Sequence, residues 1–212
     1  MTNAIYLIDG SAFIYRAFHA VAPLTNAEGF QTNAVFGFLN ILKKMLKDHQ
    51  PEYVAVAFDS RGQVFRQQRY PQYKATRPSM PDELAAQIPF IKDVVPALGL
   101  ISMEQTGIEA DDIIATAAEK LSSQGFRVVI VSGDKDLLQL VNEQVTMWDP
   151  MNDRVMDVVA IKEKYQVGPE QLLDCFALIG DSSDNVPGVP GLGPKNSGKV
   201  NPRTRLLGGS VR

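Results

Sequence analysis

Three short apolar runs in this chain each end at a carboxylate. Residues 4–8 (AIYLI) stop at Asp9-Gly10, where the chain is expected to run into a loop, residues 53–58 (YVAVAF) stop at Asp59, and residues 127–131 (RVVIV) at Ser132-Gly133-Asp134. Continuous apolar runs rich in β-branched residues read as strands buried on both faces, the condition of a parallel sheet covered by helices. Neighbouring strands stand about 4.8 Å apart. Three strand-end aspartates would therefore converge at the sheet's carboxyl edge, where such sheets bind ligands.

Helical patterns fill the intervals. Residues 34–49 carry an apolar stripe from Val35 to Leu46, with lysines opposite. Pro81-Asp82-Glu83 opens a second helix that runs to Gly99, kinked at Pro89 and Pro96. A third spans residues 109–124 and closes at Gly125. His19 and His49 fall in helical patterns far from the strand ends and read as packed or solvated. Residues 150–157 read as a turn between two short strands, residues 169–179 as a helix, and GDSSDNVPGVPGLGPK as ordered loop. The alternation predicts an α/β fold with a mostly parallel central sheet flanked by helices. From Asn196 the chain (NSGKVNPRTRLLGGSVR) loses apolar periodicity and is expected to be a disordered tail.

With 212 residues, 45% of them apolar, one large domain or one domain with an appendage is expected. No apolar run approaches the roughly 18 residues of a membrane span, and the acid at position 9 argues against a signal peptide. The single cysteine, Cys175, sits among Leu172, Leu173 and Phe176 as a small core residue, and a reducing cytoplasm suits it.

A net charge of −3 argues against a nucleic-acid partner until its distribution is considered. Residues 61–77 hold five basic side chains (Arg61, Arg66, Arg69, Lys74, Arg77) and no acid, and residues 195–212 hold five more. Acids concentrate in short clusters: Asp9, Asp59, Glu109, Asp111, Asp112, Asp134, Asp136, Asp181 and Asp184. An over-acidic helix start would account for Glu109–Asp112 alone, and Asp-rich turns for the others. Together they imply a shared counter-charge, because converging carboxylates repel and no basic residue except Lys135 is interspersed. A hard divalent cation, Mg²⁺ or alternatively Mn²⁺, is the expected one, and the lack of nearby His or Cys argues against zinc.

Many acids, a divalent metal and a separate basic patch together point to phosphoryl transfer. Two ions about 3.5–4 Å apart can activate water and neutralise a leaving oxygen. Phe65, Tyr70 and Tyr73 interleave the basic stretch, as in surfaces that stack bases and hold a nucleic-acid backbone. The glycines of PGVPGLGP leave amides free to hold phosphate. A small-molecule phosphatase and a non-catalytic DNA-binding fragment are the alternatives.

Six segments carry a resemblance to a known family: LIDGSAFIYRAFHA at 7–20, VAFDSRGQVFR at 56–66, YKATRPSMPDEL at 73–84, GIEADDIIAT at 107–116, SGDKDLLQLV at 132–141 and GDSSDNVPGVPGLGPK at 180–195. They resemble the flap endonuclease superfamily, and within it the 5′-nuclease domains at the N-terminus of bacterial DNA polymerases I. The resemblance implies a PIN/flap-endonuclease-like fold with a helical arch and a partial helix–hairpin–helix. It implies a nuclease core over residues 1–168, with the arch at 60–80, a DNA-binding region at 169–195 and an atypical, truncated end at 196–212.

The same resemblance implies structure-selective 5′-3′ exonuclease and 5′-flap endonuclease activity in replication and repair, including RNA primer removal, by a monomer in the bacterial cytoplasm near the nucleoid. The nine acids match its metal cluster, with Asp111 and Asp134 central to catalysis and Asp136, Asp181 and Asp184 acting partly through water. Lys74 and Arg77 match basic residues near the scissile phosphate, and Tyr73 the adjacent aromatic. Arg16 and Lys135 match positions near the substrate strand, and Arg61, Arg66 and Arg69 complete the basic face. Gly188, Gly191 and Gly193, with Lys195, form the expected backbone grip, which in the family often holds a monovalent cation such as K⁺.

Overall fold

The computed structural model describes residues 4–191. Six strands form one sheet: β1 (Ile5–Asp9), β2 (Tyr53–Ala57), β3 (Ile101–Met103), β4 (Val128–Val131), β5 (Val145–Asp149) and β6 (Arg154–Met156). Their order is β3-β2-β1-β4-β5-β6, and every neighbouring pair is parallel except β5 with β6. The chain builds outward from β1 to β3 on one side, then restarts at β4 on the other. The reversal falls between β1 and β4, where the crossover connections part and a crevice opens at the strand ends.

The helices are α1 (Gly10–Ala20), α2 (Asn33–His49), α3 (Phe65–Arg69), α4 (Asp82–Ala85), α5 (Ile88–Ala97), α6 (Ala110–Ser123), α7 (Val158–Tyr165) and α8 (Leu172–Ile179), with 3-10 turns at Lys135–Leu140 and Pro169–Gln171. Because strand side chains alternate between faces, successive residues feed two cores. Leu7, Ala55 and Ile130 join Ile114 and Ala118 of α6 in one cluster. Ile8, Val56 and Val131 join Phe13 of α1, Phe38 and Leu42 of α2, and Ile91 of α5 in the other. Each large side chain so buried contributes about 1.5–3 kcal/mol. Cys175 is buried, and His49 packs with its ring centroid 4.2 Å from that of Trp148. No helix among the described residues is long and apolar enough to cross a membrane.

Four local features differ from the sequence expectation. The strand ending at Asp9 does not run into a loop: α1 begins at Gly10, and Asp9 caps it by accepting the Ala12 amide at 2.9 Å. Gly10 permits the tight entry, since a Cβ there would lie 2.6 Å from Phe58. The single kinked helix over 81–99 is two, α4 and α5, with Pro89 in the first turn of α5 where its missing N–H costs nothing. Between them Gln87, fully buried, accepts the Ala34 amide at 2.9 Å and so caps α2. Strand β3 has no periodic signature because Ile101 and Ser102 are exposed at the sheet edge. In the expected arch region, 60–80, only the five residues of α3 are helical, and turns follow to Arg77. Pro71 and Pro78 bound a stretch too short of apolar residues to continue a helix.

Candidate metal and nucleic-acid site

The β1–β4 crevice opens into a cleft of about 870 Å³. Register explains the acids beneath it, since Asp9, Asp59 and Glu109 are not among its lining residues. Ile8 pairs with Val131, so Asp9 and Ser132 are the next residues along their strands, and Asp9 also pairs with Ala57 beside the Asp59 turn. Asp9 is 3% exposed; its Oδ2 accepts the Ser132 hydroxyl at 2.8 Å. Asp59 accepts the Ala110 amide at 2.7 Å, which ties the end of β2 to the start of α6. Its own amide donates to Ser11 Oγ at 2.8 Å. Glu109, at the N-cap position of α6, is 5% exposed. Asp111 and Asp112 occupy the first turn, and both line the cleft with Asp134, Asp136, Asp181 and Asp184.

Folding therefore brings together acids from five separate segments. Their electrostatics divide them into two sets. Burial pushes the Asp111 carboxyl up to about 8, and the charges of Asp9, Asp134 and Asp59 add to the effect. Burial likewise raises Asp9 to about 6, opposed by hydrogen bonds from Ala12 and Ser132 and reinforced by Asp59 and Asp134. Asp136 is raised to about 6 by burial and by the Asp134 charge. Among the described residues, Asp9, Asp59, Asp111, Asp134 and Asp136 form no ion pair.

The second set is paired, which corrects the expectation that only Lys135 is interspersed among the acids. Arg66 Nη1 reaches Glu109 at 2.6 Å and Asp112 at 2.7 Å. Lys74 reaches the other Glu109 oxygen at 2.6 Å, and the Tyr73 hydroxyl lies 3.3 Å from both. Arg77 pairs with Asp184, and Lys135 with Asp181 at 2.7 Å. Burial alone would lower the Lys74 pKa, but the hydrogen bonds to Glu109 and Tyr73 hold it above its ordinary value. For Asp181, partial burial pushes up, yet Lys135 and the Ser183 and Asp184 amides leave it below its usual value. These cations lie 35 to 107 positions from their acids, so no local sequence pattern announces the pairs.

The basic segment is stitched to the loop that carries Asp181 and Asp184. The Lys74 amide donates to the Asp184 carbonyl at 3.0 Å, Tyr70 Oη to the Asn185 carbonyl at 3.2 Å, and Asn185 Nδ2 to the Gln72 carbonyl at 2.9 Å. Lys74 adopts a left-handed φ of 56° to make this turn. On the opposite side Arg16, 3.4 Å from Asp149, passes so close to Gly133 that a Cβ there would stand 2.0 Å from its Nη2. Arg61 and Arg69 are exposed and do not line the cleft. Gly188 and Gly191 lie outside it too, while Gly193, Lys195 and the tail from Asn196 are outside the described residues.

The unpaired set is all oxygen, mutually repelling and partly buried, which is the donor chemistry of a hard divalent cation. Among the described residues, no three acids stand close enough as placed to enclose an ion by themselves. Such a donor set suits an ion that keeps several of its waters. Sequence reasoning passed over three serines, Ser11, Ser60 and Ser132, that fix these acids. Ser60 Oγ accepts the Gly107 amide at 2.9 Å and donates to the Ile108 carbonyl at 3.3 Å, just ahead of Glu109. A signal existed: each serine stands within two positions of a strand-end aspartate.

Comparison with known proteins places this geometry. Residues 4–166 match the family described as 5′-3′ exonuclease, N-terminal resolvase-like domain. A 5′-3′ exonuclease of Aquifex aeolicus is 47% identical over 195 residues, covering 92% of this chain and 68% of that protein. DNA polymerase I of Pseudomonas aeruginosa is 46% identical over 193 residues; the match covers 91% of this chain and only 21% of the polymerase. In fold, the chain is similar to the bacteriophage T5 5′-exonuclease with bound divalent metal ions (TM-score 0.73, 23% identity, 93% of this chain and 74% of that one). It is also similar to a T5 flap endonuclease complex with DNA and metal ions (TM-score 0.72, 22% identity, 92% and 73%). Since the matched segment takes in all six strands and both sides of the crevice between β1 and β4, the chain belongs to the 5′-3′ exonuclease family.

Proposed function

We propose that this chain hydrolyses DNA phosphodiesters near 5′ ends, as a 5′-3′ exonuclease and 5′-flap endonuclease that removes flaps and RNA primers in replication and repair. The observation that carries the reading is the division of the cleft. Five acids, Asp9, Asp59, Asp111, Asp134 and Asp136, form no ion pair among the described residues, and Arg66, Lys74 and Arg77 line the same cleft as Asp111, Asp134 and Asp136. Mg²⁺, with Mn²⁺ as a substitute, fits these five together with Glu109, Asp112, Asp181 and Asp184. Bound there, divalent ions would supply an activated water and charge neutralisation at the leaving oxygen.

The chain's own residues do the rest. Lys74 and Arg77 lie on the cleft wall, where their charges oppose those developing on a phosphate during hydrolysis. Tyr73 positions Lys74 through their shared acceptor, Glu109. Arg16 and Lys135 hold the substrate strand at the edges of the cleft, and Leu173 and Phe176 give it an apolar wall. Arg61, Arg66 and Arg69 extend the basic face, and Gly188 and Gly191, with Gly193 and Lys195 beyond the described residues, grip duplex backbone, with K⁺ as the hairpin cation. The chain acts as a monomer in the bacterial cytoplasm.

The deciding experiment is single-turnover cleavage of a 5′-flap duplex with Mg²⁺ in place, for wild type and Asp111→Asn. Cleavage by wild type and none by the variant supports the reading. DNA binding without cleavage leaves only a binding fragment. Turnover of a small phosphate ester that does not change with salt favours the phosphatase instead, since DNA binding weakens steeply as salt rises.

A further inference from the structure

Ser132 is fully buried, at 0% exposure, and follows directly on β4. Parallel register sets it opposite Asp9, one step beyond the Ile8–Val131 pair. Its backbone is fixed there by a hydrogen bond that its amide donates to the Trp148 carbonyl at 3.2 Å. The Asp134 amide donates to its Oγ at 3.0 Å, and an amide can only donate. The single hydroxyl proton is therefore committed to Asp9 Oδ2, 2.8 Å away. The Ala12 amide occupies Asp9 Oδ1 at 2.9 Å, and the Asp136 amide occupies Asp134 Oδ1 at 2.9 Å. One continuous chain of hydrogen bonds thus runs from α1 through Asp9 and Ser132 to the Asp134 turn, with its direction fixed at every link.

We infer that Ser132 is a positioning residue for divalent metal binding: its hydroxyl locks the carboxylate of Asp9 and the loop of Asp134, at the ends of adjacent strands β1 and β4, into one fixed relative geometry. The inference rests on the proposed metal-dependent function. Without the hydroxyl, Asp9 Oδ2 loses its donor, the carboxylate keeps only the Ala12 amide on Oδ1 of these two anchors, and the Asp134 amide loses its acceptor. Both acids then spend part of their time in geometries an ion cannot use. Partners that orient a ligating carboxylate are commonly as consequential as the ligands' own packing. Ser11 and Ser60 hold backbone next to an acid; Ser132 alone among the three bonds a carboxylate directly.

The test compares two substitutions of equal size, Ser132→Thr and Ser132→Val, which differ only in the hydroxyl. Mn²⁺ is titrated calorimetrically into the full chain without DNA, and flap cleavage and DNA affinity in EDTA are measured alongside. Ser132→Val is expected to bind Mn²⁺ about 10-fold more weakly than Ser132→Thr, within the 10–100-fold range for removing a partner of a metal ligand. Its cleavage rate at saturating DNA should fall while DNA affinity in EDTA stays unchanged, a split that general loosening of the fold would not give. Ser132→Ala, which adds no bulk, gives the same comparison if valine is not accommodated. Equal Mn²⁺ affinity in the Thr and Val (or Ala) variants overturns the inference while leaving the nuclease reading intact. Failure of wild type to bind Mn²⁺ at all overturns both.

Discussion

Arg66 closes on Asp112 through two parallel bonds, Nη1 to Oδ2 and Nη2 to Oδ1, each 2.7 Å. The same Nη1 also reaches Glu109 at 2.6 Å, so one guanidinium organises both ends of the first turn of α6. Hydrogen bonding to Asp112 holds the Arg66 pKa further above its ordinary value. A planar fork can do this and an ammonium cannot. Arg66→Lys and Arg66→Gln should each lower stability by about 1–2 kcal/mol, the modest figure reflecting a partly exposed side chain. Urea denaturation of the two variants checks it; a lysine variant as stable as wild type would show that the fork geometry does not matter.

Stability in EDTA should fall as pH rises. The folded-state values of Asp9 and Asp136, about 6, and of Asp111, about 8, all exceed the ordinary 3.8. The folded protein therefore binds more protons than the unfolded chain in this window, and its stability declines from near pH 4 until the last of them is lost near pH 8. Asp111→Asn removes the most perturbed group, so its melting temperature should exceed that of wild type at the upper end of the window and converge with it at the lower end. A melting temperature that rises with pH over this range would contradict the assignment.

Lys74 should act on the cleavage step more than on binding. It bonds Glu109 at 2.6 Å inside the cleft rather than standing on its rim. Lys74→Met is expected to reduce the single-turnover rate by about 10²–10³-fold, the usual loss for an electrostatic donor at a reacting group. DNA affinity in EDTA should change little. A drop in affinity with an unaltered cleavage step would make Lys74 a tether only.

Two glycines separate function from folding. At Gly133 the three atoms nearest an added Cβ all belong to the tip of Arg16, a flexible group. At Gly188 it meets the Ile179 carbonyl at 2.1 Å, which is backbone and cannot yield cheaply. Gly133→Ala should therefore leave the melting temperature near wild type while displacing Arg16 from Asp149 and weakening DNA binding. Gly188→Ala should destabilise the junction after α8. Thermal melts and DNA titrations of both variants distinguish the two effects, and a Gly133→Ala protein with normal DNA affinity would remove Arg16 from the strand contacts.

The strand-end aspartates were legible in the sequence because a buried parallel strand is a continuous apolar run, and the first polar residue after it marks its exit. The acids of α6 were legible for a similar reason: a helix start tolerates Asp and Glu, but three together exceed what the helix dipole rewards. Strand β3 was not legible, since an exposed three-residue edge strand carries no periodic signal. Nor was the division of residues 81–99 into two helices, which depends on Gln87 turning inward to cap α2.

By itself, the sequence determined the alternation of strands and helices, the sheet's mostly parallel character and the acids that gather at its edge, because each is set by side-chain periodicity and local chain chemistry. Only the tertiary structure decided which acids are paired and which are left facing one another. Arg66 and Lys74 reach Glu109 across 43 and 35 positions, and Ser132 reaches Asp9 across 123. Those contacts follow from strand order and register, which are settled by packing two hydrophobic layers against one sheet. A hydrogen bond between residues so far apart is a consequence of that packing, and no spacing along the chain encodes it.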